Sequence, residues 1–267
     1  MTRLAFRLVY LGGDFYGSQM QPELRTVEGE VIESCRRLGL FDDWRDAGFR
    51  IAGRTDRGVH ACGQVCAFTT DREERAVQAL NPVLPPDIWC TAWASVPDSF
   101  HPRYDALSRT YRYYFPDPPD DVSAMQEMAR RFIGSHNFSS FARVGDKNPV
   151  RTVLAADIRR EGRFCVFEVT AKSFLWNMVR CMATALLLAG RGAADIDELA
   201  GLLEEPTAER FPASPPDGLI LWDVAYDVTF LPLCVDEKHQ NHLRMLYRRY
   251  SLMEEITCVL SKETSER

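Results

Sequence analysis

The chain has 267 residues, 46% hydrophobic and 26% charged. That globular balance excludes general disorder and suits one large domain or two modest ones. Its 38 acidic and 32 basic side chains give a formal net charge of −6, which excludes a uniformly basic nucleic-acid coat but leaves room for a local basic groove, because phosphate answers to local fields.

In chain order, Met1 to Leu8 alternates apolar residues with Arg3 and Arg7, a strand's period and not that of a signal peptide. The strand is expected over Leu4 to Leu11. Thr26 to Leu38 reads as an amphipathic helix, with Thr26 as its N-cap and Gly39 at its stop. Phe49 to Ala52 and Gln64 to Thr70 read as strands, Asp71 caps a helix to about Leu80, and Ile88 to Ser95 is a strand bounded by prolines. The order then restarts. Arg109 to Phe115 is a tyrosine-rich strand, Asp120 to Ile133 a helix, and Thr152 to Arg159 and Phe164 to Thr170 a hairpin turning at Glu161-Gly162. Ser173 to Ala189 is a long apolar helix, too interrupted for a membrane span. A short helix near Asp195 to Leu203 follows, and Leu219 to Tyr226 closes as a strand.

Both halves therefore spell strand, helix, strand, strand, helix, strand. This predicts an α+β fold of two ferredoxin-like-ordered halves (βαββαβ twice), one mostly antiparallel sheet with helices on one face. The expected units are residues 1–104, residues 105–232 and a C-terminal helical extension, 233–267, with a helix over Arg244 to Glu255 and a frayed end from Ser261 to Arg267. Eight cysteines contain no CxxC pair, so buried thiols in a cytoplasmic protein are expected and no metal site.

The sharpest local pattern is Gly53-Arg54-Thr55-Asp56-Arg57-Gly58-Val59-His60, glycines crowding one carboxylate between two strands. Alone, it reads equally as a β-turn in which Asp56 bonds its own backbone. Arg180 is the single charge in an apolar helix. A buried guanidinium without an acceptor costs several kcal/mol, so it snorkels to an edge, pairs with a carboxylate such as Glu168, or serves a site. Tyr111 shares a strand face with Tyr113, with Tyr114 on the other, and reads as a core aromatic or a stacking platform.

The loop pattern resembles the active-site loop of the tRNA pseudouridine synthase A family. Phe100-His101-Pro102-Arg103 with Ser108-Arg109-Thr110-Tyr111-Arg112-Tyr113, then Gly134-Ser135-His136-Asn137-Phe138-Ser139-Ser140-Phe141, Phe174-Leu175-Trp176-Asn177-Met178-Val179-Arg180 and Pro216-Asp217-Gly218-Leu219 are similar to that family's further motifs, in its order. The chain departs from the pattern at Tyr10-Leu11-Gly12-Gly13-Asp14 and at Gly17-Ser18-Gln19-Met20-Gln21, where Ser18 replaces an aromatic.

The resemblance implies isomerisation of uridine to pseudouridine in the anticodon stem-loop of tRNA, around tRNA positions 38–40, by a homodimer without cofactor or metal. It implies Asp56 as nucleophile or as base toward the ribose C2′, Tyr111 stacked on the target base, and Arg180 paired with Asp56. Arg54 would separate the base from its stack, hold a phosphate or brace the loop, and His60 fixes the loop. Arg57, His60, Arg103, Arg109 and Arg112 would join the RNA contacts. Residues 101–180 hold 13 Lys/Arg against 9 Asp/Glu, so Arg143, Lys147 and Arg151 could extend a phosphate-tracking cleft. The competing reading is a non-catalytic RNA-binding module on the same scaffold.

Overall fold

The structure, a computed structural model, describes residues 1–119 and 121–265. In the first half, β1 (Thr2–Tyr10) leads through a long loop to α1 (Val27–Arg37), where the Thr26 hydroxyl caps by accepting from the Gly29 N–H at 3.2 Å. The short β2 (Arg50–Ile51), β3 (His60–Thr70), α2 (Glu73–Val83) and β4 (Ile88–Val96) follow. The α2 helix starts later than the expected Asp71 cap; Arg72 is its N-cap and no side chain caps it. In the second half, β5 (Ser108–Phe115), α3 (Ser123–Arg131), β6 (Gly134–Asn137), β7 (Val150–Glu161), β8 (Phe164–Ala171), α4 (Met178–Gly190), α5 (Ile196–Gly201) and β9 (Leu219–Ala225) repeat that order with β6 and α5 inserted. Asp120, the expected start of the third helix, lies outside the described residues. Finally come β10 (Leu231–Pro232) and α6 (Glu237–Ser265).

The α6 helix is longer at both ends than expected and reaches through Ser265, where fraying was anticipated; Glu266 and Arg267 lie outside the described residues. The apolar helix expected from Ser173 starts instead at Met178. Asn177 takes a left-handed backbone (φ 62) and Trp176 bridges to Arg143, so residues 172–177 form a strap before the helix begins.

The strands form one sheet in the order β10-β4-β1-β3-β9-β5-β8-β7-β6, with β2 also on β3. Each half has the ferredoxin-like order, β4-β1-β3-β2 and β9-β5-β8-β7, and all of those pairs are antiparallel. The two halves join by a parallel contact, His60 with Ile220 and Ala61 with Leu221. The outer edge of β3 is thus shared, taken at its end by β2 and at its start by β9. Gly63 makes the seam possible, because a Cβ there would lie 2.5 Å from the Asp223 Cα.

Leu4, Phe6 and Leu8 of β1 face α1 and α2 in one apolar core, while Tyr113, Phe115 and Phe167 pack with α3 and α4 in a second. Tyr111 touches both cores. The opposite face of the sheet is polar at its centre, where Arg7 pairs with Asp223 and Arg112 with Glu168. The helical layers therefore part above the seam, where β3 begins.

Candidate active site

The loop from Ala52 to Val59 leaves β2 and enters β3 at the seam, and buried polar groups hold it. The Gln64 amide clamps Gly53 from both sides, accepting from its N–H at 3.3 Å and donating to its carbonyl at 2.8 Å. The Thr55 N–H donates to the Ser18 hydroxyl at 2.8 Å, the Ser18 N–H donates back to the Thr55 carbonyl at 3.0 Å, and the Thr55 hydroxyl bonds the Tyr10 hydroxyl at 2.8 Å. Burial pushes the Tyr10 phenol up to about 12, so it remains a hydroxyl and can serve in this lattice. Beyond Thr55, Gly58 at φ 86 and a bond from the Val59 N–H to the Asp56 carbonyl at 3.2 Å close a tight turn.

That turn presents the Asp56 carboxylate to α4 and its strap. Oδ2 accepts from Arg180 Nη1 at 3.1 Å, and Oδ1 accepts from the Trp176 indole at 2.9 Å. Arg180 itself is fixed by donating from Nε to the Ser214 carbonyl at 2.6 Å. Its acceptor is therefore Asp56 and not Glu168, which pairs with Arg112 and Arg159. Two donors on two oxygens fix the plane of the carboxylate.

Tyr111 lines the same cleft, with Arg54, Asp56, Phe174, Trp176, Arg180 and Leu219. Its ring stands edge-on to Phe174, centroids 5.0 Å apart. Burial raises its phenol pKa well above the ordinary value, so it is a hydroxyl at neutral pH and no ready base. The cleft opens past Trp176, which is 54% exposed and lies under the Arg143 guanidinium at 4.6 Å.

The expected RNA contacts divide. Arg54, Arg57 and Arg103 are exposed; Arg54 lines the cleft, Arg57 lies over Tyr16 at 4.3 Å and Arg103 over Tyr104 at 5.7 Å. Arg109 and Arg112 correct the expectation. Arg109 is buried and donates to the carbonyls of Lys172, Ala52 and Arg103 at 2.9, 3.1 and 2.6 Å, bracing the strap against the loop. Arg112 points to the opposite face from Tyr111, stacked on Trp222 at 3.5 Å and paired with Glu168 at 2.6 Å. His60 fixes the loop, its Nδ1 accepting from the Gly12 N–H at 3.0 Å, and burial lowers its pKa. Arg151 folds back on the carbonyls of Asn148 and Val150.

Reading the residues did not single out Trp176, Ser18 or Gln64. Trp176 stood inside a quoted motif. Ser18 stood at the departure from the family's pattern, and its full burial against Thr55 explains how a small polar residue serves there.

Comparison with known proteins assigns this scaffold and cleft to an isomerase of the pseudouridine synthase class. A family model described as tRNA pseudouridine synthase matches residues 128–227. A tRNA pseudouridine synthase A of Methanoculleus marisnigri is 58% identical over 260 residues, covering 97% of this chain and 96% of that one. The protein of the same name from Methanosphaerula palustris is 51% identical over 265 residues, covering 99% and 95%. Another from Thermococcus sibiricus is 44% identical over 227 residues, covering 84% and 85%. The chain belongs to the tRNA pseudouridine synthase A family.

Proposed function

We propose that the protein isomerises uridine to pseudouridine in tRNA, with Asp56 as the catalytic carboxylate. The carrying observation is the meeting of Asp56, Arg180 and Tyr111, from three separate stretches of chain, around one cleft. In the reaction the N1–C1′ bond breaks, the uracil turns within the cleft, a C5–C1′ bond forms as the C5 proton leaves to water, and N1 takes up one proton in exchange. The Asp56 carboxylate attacks the nucleotide or takes a proton from the ribose C2′. Arg180 holds that carboxylate in place, and Tyr111 stacks on the uracil while it is detached, a contact worth on the order of 1–3 kcal/mol.

The target lies in the anticodon stem-loop, around tRNA positions 38–40, as in the family that the motifs resemble. A paired base must leave its stack to reach a recessed acid, and Arg54 at the mouth takes the place it vacates or the phosphate beside it. Arg57 and Arg103 flank the path of the backbone. One unit, residues 1–104, supplies the acid, residues 105–232 supply the tyrosine and arginine, and residues 233–267 form an appended helix. The enzyme acts in the cytoplasm as a homodimer spanned by one tRNA. No helix among the described residues is long and apolar enough to cross a membrane.

The test is tritium release from tRNA carrying [5-³H]uridine. The wild type is expected to release tritium and Asp56→Asn to release none, with tRNA affinity retained within about threefold. Release by Asp56→Asn at the wild-type rate would refute the assignment. Binding without release by the wild type would favour the non-catalytic module.

A further inference from the structure

The cleft that gathers Asp56, Tyr111 and Arg180 is too small for a nucleotide as it stands. It encloses about 70 Å³, whereas a site that envelops a ligand of that size holds roughly 300 Å³ or more. The carboxylate is also engaged on both oxygens, Oδ2 with Arg180 and Oδ1 with the Trp176 indole. A uridine therefore enters only if part of the wall moves and one of those bonds yields.

Most of that wall is fixed. Tyr111 stands within β5, between β9 and β8, and Val59, Leu175, Met178, Val179 and Leu219 around it are buried. Arg180 is anchored by the Ser214 carbonyl, the Asp56 loop by Ser18 and Gln64, and Phe174 by its packing on the second core. Of the residues lining the cleft, only Arg54 and Trp176 are exposed, and of these two it is Trp176 that bonds the carboxylate. The backbone beneath that ring is pinned. The Arg143 N–H donates to the Trp176 carbonyl at 2.8 Å, and Asn177 takes its left-handed turn (φ 62) before α4 begins. The indole itself has two polar holds, the bond to Asp56 at 2.9 Å and the Arg143 guanidinium over its face at 4.6 Å. A nucleotide competes for both, because its phosphate draws an arginine and its ribose approaches the acid. Rotation of the side chain about its own bonds releases both holds and leaves the strap in place, and exposed side chains make such turns within nanoseconds.

We propose that Trp176 is the gate of this cleft: its indole caps the Asp56 carboxylate until the target nucleotide turns it outward, and it then flanks the uracil at the mouth while Tyr111 stacks on the base within. The inference rests on Asp56 as the catalytic carboxylate and adds a residue that touches the substrate. Arg180 takes no part in the exchange. Its guanidinium keeps Oδ2 and the Ser214 carbonyl, so the acid stays oriented while Oδ1 is freed. The cap also selects what enters. A ligand opens the cleft only by contributing more than the bond it replaces, and its apparent affinity is reduced by the fraction of protein that is capped. A nucleotide that engages both the phosphate side and the base side meets that requirement, and a loose base does not.

Tritium release at varied tRNA concentration, with tryptophan emission followed through a tRNA titration, tests the gate. Trp176→Phe keeps a ring and loses the N–H, and should raise kcat/KM about fivefold, the change lying in KM. Trp176→Ala, which loses the flanking ring as well, should have a KM about tenfold above that of Trp176→Phe. Contact with a base should quench the wild-type emission, and Trp176→Phe should lose that quench, since no other tryptophan lines the cleft. A kcat about tenfold lower in Trp176→Phe, with KM unchanged, would make the indole a permanent donor that orients Asp56 and would overturn the gate. Wild-type kinetics in both variants, or an emission indifferent to tRNA, overturns it as well. A wild type that releases no tritium removes the catalytic reading and leaves the gate to the emission: a quench that Trp176→Phe abolishes upholds it, and its absence ends it.

Discussion

The two halves of the sheet share one order of elements and one order of strands, yet they hold their functional groups by opposite means. The first half carries its carboxylate on a glycine-containing loop and fixes that loop with a buried polar lattice of Tyr10, Ser18, Thr55 and Gln64. The second half carries Tyr111 within a strand and Arg180 on a helix whose neighbours Val179, Cys181 and Met182 are buried. There, packing places the residue and hydrogen bonds only finish the aim. A loop has no apolar face to bury, so its geometry must come from directed bonds that exclude alternative conformations. The design therefore predicts different failures for the two halves.

Among the residues that support the carboxylate, the largest effect is expected from the second half. Arg180→Met frees Asp56 Oδ2 from its cationic partner and the Ser214 carbonyl from its donor. Tritium release should fall about 100-fold or more, since small misplacement of a reacting group costs that much. The half-screened pair should cost about 1–3 kcal/mol of stability in urea unfolding. An unchanged rate would show that Arg180 does not serve Asp56. In the first half, Ser18→Ala leaves the Thr55 N–H unpaired in a buried site. It should cost about 1–3 kcal/mol and lower kcat about tenfold with KM little changed, while Ser18→Thr recovers most of the rate. A change in KM alone would place Ser18 in substrate binding and not in loop support.

Smaller effects separate the mouth of the cleft from the opposite face of the sheet. Arg54→Ala should weaken tRNA binding and reduce the slope of log affinity against log salt by about one. Arg112→Ala, which removes a cation from the far face, should leave that slope unchanged. Equal changes in both would mean that RNA reaches both faces. The least effect concerns pH. Burial lowers the His60 pKa, so the folded chain resists a proton that the unfolded chain takes up below about pH 6.5. Its contribution is complete above that value and is lost as pH falls toward the lowered folded pKa. Between about pH 7.5 and 5, the wild type should lose more Tm than His60→Gln. His101 and His239 shift in the same direction and cancel in that difference. Equal losses would remove His60 as a source of acid sensitivity.

Much of this was legible from residue order. Alternation marked β1, tyrosine richness marked β5, Thr26 marked the start of α1, and the doubled βαββαβ order was readable from composition, turns and periodicity. These features are local, and each segment carries its own period and caps. The loop around Asp56 and the lone Arg180 were also visible, because a charge in an apolar helix demands an acceptor wherever the helix goes. The partner of that charge was not legible without the family likeness, since Glu168 was an equally good acceptor until β8 turned it to the far face.

Charge read without register misplaced Arg109 and Arg112. Their charge suggested phosphate, but register sent one beneath the strap and the other to the back of the sheet. Ser18 looked like a gap in a motif, and only the approach of two distant loops made it a bonding partner. What residue order specified was each strand and helix, through periods and caps acting over a few residues. What tertiary structure decided was the seam of β3 and β9 and every contact made across it, because those depend on which faces meet and how closely backbones approach. Gly63 shows the limit, for its lack of a side chain acquires meaning only once Asp223 lies against it.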